Sequence, residues 1–424
     1  MKIHKAMASL LLLAAYAFYS LGGGQVSKDA EEQQKGRVRQ AASRAGKQQI
    51  IQSRAFERKP LDQFPCVLQS PHAQWWMPPK QGADKPKEGF FFLKTEKTAS
   101  STSAGVHLRI AHNMAARKVG KSSPPIATPM CLVQFSHSNA LQMGYAERIK
   151  KKSFLWTVVR EPSQRMISHF FHFGVTRLNW EPTARNFKRW LLEPNNMADN
   201  YYLRKLRVTK PNISVQNSTQ EQHQHQQQQQ SESSHHNEIL VADTLVAQSW
   251  QALIDEYDFI AVTERMEESI VALQMILGLS TADVMYLSAK ENGGYEGGGW
   301  NNTCLRIHRR NVTPGMEAFL GSPLWESYVK WDRLFYEAVN QSLDKTIQAL
   351  GRKAFERNLQ RFKQAQDVAH KQCRGKVRFP CSTARDGLPP LRMGESDCLW
   401  NDSACGMSCI DDVANQLGLW EAIS

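Results

Sequence analysis

The stretch Phe90–Ala111 limits what this chain can fold into more than any other part of it. Phe90, Phe91, Phe92 and Leu93 form a short, aromatic-rich apolar run, the pattern of a strand buried in a parallel sheet. Val106, Leu108, Ile110, Ala111 and Met114 are spaced for one face of a helix. Between them lies Lys94-Thr-Glu-Lys-Thr-Ala-Ser-Ser-Thr102, a turn of lysines and hydroxyls. A strand, such a turn and a helix together make a phosphate cradle. Backbone N–H groups at the helix start face the anion, and the helix dipole favours negative charge there. Lys94 and Lys97 bring positive charge; Thr98, Ser100, Ser101 and Thr102 bring donors, and Ala99 brings its amide. The turn is not that of a nucleoside triphosphatase. The pattern G-x-x-x-x-G-K-S/T is absent, and no glycine lies between Lys94 and Ser103, so the loop is shorter and tighter.

Two more apolar runs, Met130–Phe135 and Phe154–Val159, read as further buried strands. Strands alternating with helices predict an α/β fold, a parallel sheet flanked by helices on both faces. In such sheets ligands lie beyond the carboxyl ends of the strands. The informative residues therefore follow each strand: Lys94–Thr102, Ser136–Asn139, and Arg160 onward. Arg160 ends the third run and can fork onto a phosphate. Pro162 suits a first helical turn, which places Ser168 about two turns along the helix that follows.

Both phosphate motifs resemble those of the sulfotransferases, which move sulfuryl groups from 3′-phosphoadenosine-5′-phosphosulfate (PAPS). Their membrane-bound, carbohydrate-directed branch carries K-T-x-K-T-A/G-S-S/T-T in the 5′-phosphosulfate loop, which matches Lys94–Thr102 at almost every position. Arg160 and Ser168 match the arginine and serine of the 3′-phosphate motif. The segments Tyr257–Ile270 and Trp331–Asn340 resemble two motifs of the galactose-3-O-sulfotransferase family, so the likeness spans about Lys87–Ala349 with one interruption. The resemblance implies a P-loop nucleotide-hydrolase-like sulfotransferase fold, PAPS as co-substrate without a required metal, and a glycan or glycolipid acceptor. The 3-hydroxyl of galactose is the candidate position, attacked by in-line displacement. It also leaves a homodimer open.

The attacking hydroxyl needs a general base. His137, after the second strand, matches the place of a His-His pair in related enzymes. Glu96 stands in the loop where the galactose-directed family has histidine. Both are candidate bases, with His137 preferred, and Lys97 stabilises developing charge. His107, His112, His169 and His172 fall on helices and are expected to pack or face solvent. Trp180–Arg207, with Asn200, Tyr201 and Tyr202, and the glycine-rich Gly293–Trp300, with Tyr295 and Trp300, are the expected acceptor-selecting segments. A glycine-rich loop with magnesium carboxylates, which a kinase would need, is not found. The rival of a different class is a non-catalytic lumenal protein that keeps the fold and binds glycan or 3′,5′-bisphosphoadenosine (PAP); the departure at Glu96 is its main support.

Lys2 and Lys5 precede the apolar run Ala6–Leu21. The positive flank predicts a short cytosolic tail and a lumenal body, with residues 1–24 as tail and signal-anchor in preference to a cleaved signal peptide. Residues 25–85 read as a stem, with Trp75-Trp-Met77 packing on the body. Residues 86–370 read as the catalytic domain, with a polar, Gln/His-rich disordered insertion at 208–238. Residues 371–424 form a cysteine-rich tail. Six N-x-S/T sequons, at Asn212, Asn217, Asn301, Asn311, Asn340 and Asn401, agree with lumenal exposure. The eight cysteines are then expected in disulfides, with a zinc site around Cys405-x-x-x-Cys409 as the lesser alternative. Together with the resemblance, these features predict a single-pass type II protein of the Golgi membrane. The net charge of +13 suits an anionic nucleotide; no arginine–aromatic nucleic-acid module accompanies it.

Overall fold

The structure is a computed structural model, and it describes residues 50–60, 87–119, 131, 133–193, 196, 198–209, 246–288, 294–297, 303–381, 389–392 and 394–421. Its centre is a four-stranded parallel sheet in the order β2-β1-β3-β4. The strands are β1 (Gly89–Leu93), β2 (Val133–Ser136), β3 (Ser153–Val159) and β4 (Phe259–Val262). Phe92 registers with Phe135 on one side and Trp156 on the other. Every residue of these strands is buried, so both faces of the sheet are covered. Each fully buried large side chain in this layer, such as Phe91 or Trp156, contributes about 2–3 kcal/mol relative to exposure.

The strand order reverses between β1 and β3. From β1 the chain crosses to β2 on one side; from β3 it crosses to β4 on the other. The carboxyl ends of β1 and β3 therefore border a crevice, the place where open α/β sheets bind ligands. The segments that follow these two strands are those singled out by their lysines and arginine.

Helix α1 (Ser100–Val119) follows β1, and α2 (Pro162–His169) follows β3, with Pro162 in its first turn and Glu161 capping the amide of Gln164. Helix α3 (Ala184–Leu192) and the short α4 (Tyr201–Leu206) come next. After β4 come α5 (Met266–Leu277), the long α6 (Pro323–Leu350) and α7 (Arg352–Cys373). Ser322 and Pro323 open α6, and Gly351, at φ 92°, ends it. Beyond Gly351 the chain turns at once into this second helix. The chain closes with the hairpin β7 (Cys398–Trp400) and β8 (Ser403–Cys405), then α8 (Met407–Gln416).

Several expectations change in three dimensions. Ile51 and Phe56, inside the stretch read as stem, are buried in the main core. Val208, the first residue assigned to the disordered insertion, is buried in the same core because Tyr257 and the helices around it close over that end of α4. Residues 210–245 lie outside the described ones, as do Trp75–Met77. Tyr295 belongs to an antiparallel hairpin, β5 (Tyr295–Gly297) with β6 (Cys304–Arg306), not to a free glycine loop. Glu296 is buried there against Arg177 and His172, at 3.2 and 3.4 Å, which anchors the hairpin; Trp300 lies outside the described residues.

The disulfide expectation holds. Cys304 pairs with Cys381, Cys373 with Cys409 and Cys398 with Cys405, and Cys131 is also disulfide-bonded. Cys405 and Cys409, the nearest spacing for zinc, have different disulfide partners. Of the sequons, Asn311 and Asn401 are exposed, and Asn340 is half-buried on α6, accepting from Arg265 at 2.9 Å; the other three lie outside the described residues. Among the described residues no helix is long and apolar enough to cross a membrane. Ala6–Leu21 lies outside them.

Candidate active site

The loop between β1 and α1 reaches its shape without glycine. Lys97 and Ala99 both adopt left-handed backbone, at φ 62° and 57°. For non-glycine residues that conformation costs about 1–2 kcal/mol each. The surroundings hold it. Thr95 donates to the carbonyl of Val158 (2.5 Å) and lies 2.7 Å from the hydroxyl of Thr98, which also contacts the Thr95 carbonyl (3.0 Å). Alternating left-handed residues ahead of a helix start turn successive N–H groups toward one point, an anion-binding concavity. The Thr98 hydroxyl, expected as a donor to ligand, is instead turned inward, because a buried hydroxyl at that position must be satisfied within the loop. Ala99 is exposed, Ser101 and Thr102 are half-buried, and Ser100 is nearly buried at the helix start.

Arg160 faces this loop across the crevice. Its Nη1 donates to the carbonyl of Lys97 at 3.2 Å, and its Nε lies 3.5 Å from Glu264. Burial lowers its pKa, and Glu264 opposes that shift. Ser168 is nearly buried on α2, in the second turn.

The two loops are tied together from behind by one short helix. The phenol of Tyr201 accepts from the amide of Glu96 at 2.6 Å. The phenol of Tyr202 bridges the amide of Arg160 (2.8 Å) and its carbonyl (2.5 Å). The amides of Tyr201 and Tyr202 in turn donate to the two carboxylate oxygens of Asp332 on α6, at 3.0 and 2.9 Å. The Arg165 guanidinium lies 3.6 Å above the Tyr201 ring. Tyr201 and Tyr202 thus position the loops and are buried away from any acceptor, a correction to their expected role in acceptor selection. Asp332 carries no signal of this role beyond its place in the Trp331–Asn340 motif.

His137 stands beyond β2. It is exposed, with Nδ1 3.2 Å from the carbonyl of Lys94. Glu96, the other candidate base, pairs with Lys205 at 3.5 Å. The Lys205 ammonium also donates to the carbonyl of His137, at 2.5 Å. A pocket of about 730 Å³ opens here, lined by residues that include Lys94, His137, Arg204, Lys205, Trp400 and Asp402. Glu96 and Tyr295 do not line it.

His107 and His169 are packing groups, as expected. Each accepts from a tryptophan, Trp156 at 3.1 Å and Trp190 at 3.0 Å. Burial drives the pKa of both down to about 3.

Comparison with known families agrees with this arrangement. The model described as "Sulfotransferase family" matches residues 83–292. This span is therefore similar to the sulfotransferases. The matched span contains the β1–α1 loop, His137, Arg160, Ser168 and the paired tyrosines, whereas Asp332 and the β7–β8 hairpin lie beyond it. The parallel sheet with helices packed around it is the α/β, P-loop-like sulfotransferase fold. No curated protein matches the chain. Among the described residues, no cluster of three His, Cys, Asp or Glu side chains is arranged to hold a metal ion.

Proposed function

We propose that the chain transfers a sulfuryl group from PAPS to a hydroxyl of a glycan or glycolipid, with the 3-hydroxyl of galactose as the first acceptor position to test. One observation carries this reading. The anion-binding loop and Arg160 meet at the switch point of the sheet, and the exposed imidazole of His137 lines the adjoining pocket. The donor set fits a highly anionic nucleotide: the amides around Lys97–Thr102, the cations Lys94, Lys97 and Arg160, and a helix N-terminus behind them.

PAPS would supply the sulfuryl group, its sulfur leaving the phosphate oxygen as the bond to the acceptor oxygen forms. Lys94, Lys97 and the amides of Thr98–Thr102 would hold the phosphosulfate end, and Arg160 with Ser168 the 3′-phosphate. Lys97 offsets the charge that develops on the leaving oxygen. His137 takes the proton of the acceptor hydroxyl. Its place on the pocket wall favours it over Glu96, which is engaged by Lys205 and stands off the pocket. We also place the protein in the Golgi membrane as a single-pass type II protein. The charged and apolar N-terminus, the sequons and the disulfides support that placement.

The test is transfer of radiolabelled sulfate from PAPS to a panel of β-galactosides and other glycans, by wild type, Lys97→Ala and His137→Ala. Transfer that is lost with Lys97→Ala, and lost with His137→Ala while PAP binding is kept, supports both the reaction and the base. No transfer and no PAP binding overturns the reading. PAP binding with no transfer to any acceptor supports the non-catalytic alternative.

A further inference from the structure

His137 is held on two sides. Its ring nitrogen Nδ1 lies 3.2 Å from the carbonyl oxygen of Lys94. A carbonyl only accepts, so in the neutral ring Nδ1 carries the proton and Nε2 the lone pair, the form in which an imidazole can take a proton from a hydroxyl. The backbone is held separately. The ammonium of Lys205, on α4, donates to the His137 carbonyl at 2.5 Å. The same ammonium lies 3.5 Å from the carboxylate of Glu96, which stands two residues beyond Lys94 in the loop after β1.

These contacts close a ring. The ends of β1 and β2 are joined where the amide of Lys94 donates to the carbonyl of Ser136 at 2.8 Å. The amide of Glu96 donates to the phenol of Tyr201 at 2.6 Å, and Tyr201 lies one helical turn before Lys205 on α4. Residues four apart share a helix face, so α4 brings Tyr201 and Lys205 together to the ends of the two strands. The Lys205 side chain is 12% exposed and that of Glu96 24%. Fixing a long lysine costs rotamer freedom, and a cation taken this far out of water needs partners. The Glu96 carboxylate and the His137 carbonyl are those partners. Glu96 is also where the loop departs from the histidine of the pattern it resembles; a neutral imidazole there would bring no negative charge to Lys205.

We propose that Lys205 is a positioning residue for His137, with Glu96 as its counter-charge. The pair sets where the backbone of His137 lies, and so where Nε2 stands relative to an acceptor hydroxyl. The proposal rests on the sulfuryl-transfer reading with His137 as the base. It gives Glu96 a role other than that of base, and it ties the base to the loop that would hold the phosphosulfate.

The test uses the full-length protein, PAPS and whichever acceptor of the glycan panel wild type sulfates fastest. Lys205→Met keeps the length of the side chain and removes its charge and donors. It should lower kcat by about a hundredfold, the cost of displacing a reacting group by about 1 Å, while PAP affinity by calorimetry stays within about twofold of wild type. Lys205→Arg keeps the cation and should recover about tenfold of that loss. Glu96→Gln keeps the amide bond to Tyr201 and should lower kcat by about tenfold through one lost charge-assisted bond. Added to His137→Ala, Lys205→Met should change kcat by less than about twofold, because Lys205 acts through His137. A kcat within about threefold of wild type in both Lys205→Met and Glu96→Gln, a PAP affinity that falls in step with kcat, or a full further loss in His137→Ala would each overturn the proposal. Transfer by wild type would in those cases leave the sulfuryl-transfer reading standing. Wild type that transfers to no acceptor removes that reading, and the proposal with it.

Discussion

Asp332→Asn probes the buried tie between α6 and the loops that carry Glu96 and Arg160. The carboxylate accepts two backbone amides, and burial raises its pKa from 3.8 to about 6, with those amides and Arg165 pulling the other way. A carboxyl with a raised folded pKa binds its proton more tightly in the folded state. Its contribution to stability is therefore fully present below about pH 3.8 and is lost as the pH rises to about 6. A shift of about two units corresponds to about 3 kcal/mol. Asparagine does not titrate and, like the protonated acid, keeps one oxygen that only accepts while its other terminal group donates, here through two N–H bonds in place of one O–H. Relative to wild type, Asp332→Asn should therefore gain stability as the pH rises, with about 2 kcal/mol of that gain between pH 4.5 and 8.

The difference between the two proteins is the quantity to follow, because the wild-type trend alone runs the other way. His107 and His169 have folded pKa values lowered to about 3, first through burial. Their stabilisation is present above the unfolded value of 6.5 and is lost as the pH falls toward 3, at about 5 kcal/mol each. Urea unfolding of both proteins with disulfides intact, followed by tryptophan fluorescence across the pH range, measures the difference. A difference that stays flat within about 0.5 kcal/mol, a small fraction of the linkage expected, would refute the assignment of a raised pKa to Asp332. PAP affinity measured alongside shows whether the tie to Tyr201 and Tyr202 matters for the loops.

Other perturbations separate loop shape, loop support and cross-linking. Tyr201→Phe leaves the Glu96 amide without its phenol acceptor and should cost about 1–3 kcal/mol, with weaker PAP binding seen by calorimetry. At Ala99, held at φ 57°, glycine should be tolerated within about 1 kcal/mol, since relief of left-handed strain offsets the added freedom of the unfolded chain. Valine there should lower both melting temperature and PAP affinity, because a β-branched residue fits left-handed backbone badly. Removing the Cys304–Cys381 link, which spans 77 residues, by a double serine substitution should lower stability by about 4 kcal/mol, read by urea unfolding.

The local parts of this molecule are legible along the chain. An aromatic run followed by a glycine-free lysine and hydroxyl turn specifies β1, the cradle and α1, because strand, loop and helix start are contiguous there. Arg160 before Pro162 likewise marks the junction of β3 and α2. Pro323 and Gly351 bound α6, whose ends are set by residues within a turn of them. These features depend on neighbours in sequence, and so periodicity and capping reveal them.

The rest belongs to closure of the chain over long distances. Asp332 reaches α4 across more than a hundred residues, and α4 then holds Glu96 and Arg160 through two adjacent phenols. In sequence Tyr201 and Tyr202 look like ligand-facing aromatics. Only their burial under the loops shows that their hydroxyls serve the backbone. The Cys398–Cys405 hairpin reads as part of a tail, yet the glycine at 105 lets it press on α1 and bring Trp400 to the pocket. A sequence encodes such a contact at both ends without marking which ends meet. The order of the strands in the sheet and the packing of the buried helices decide it, since they bring those ends within bonding distance.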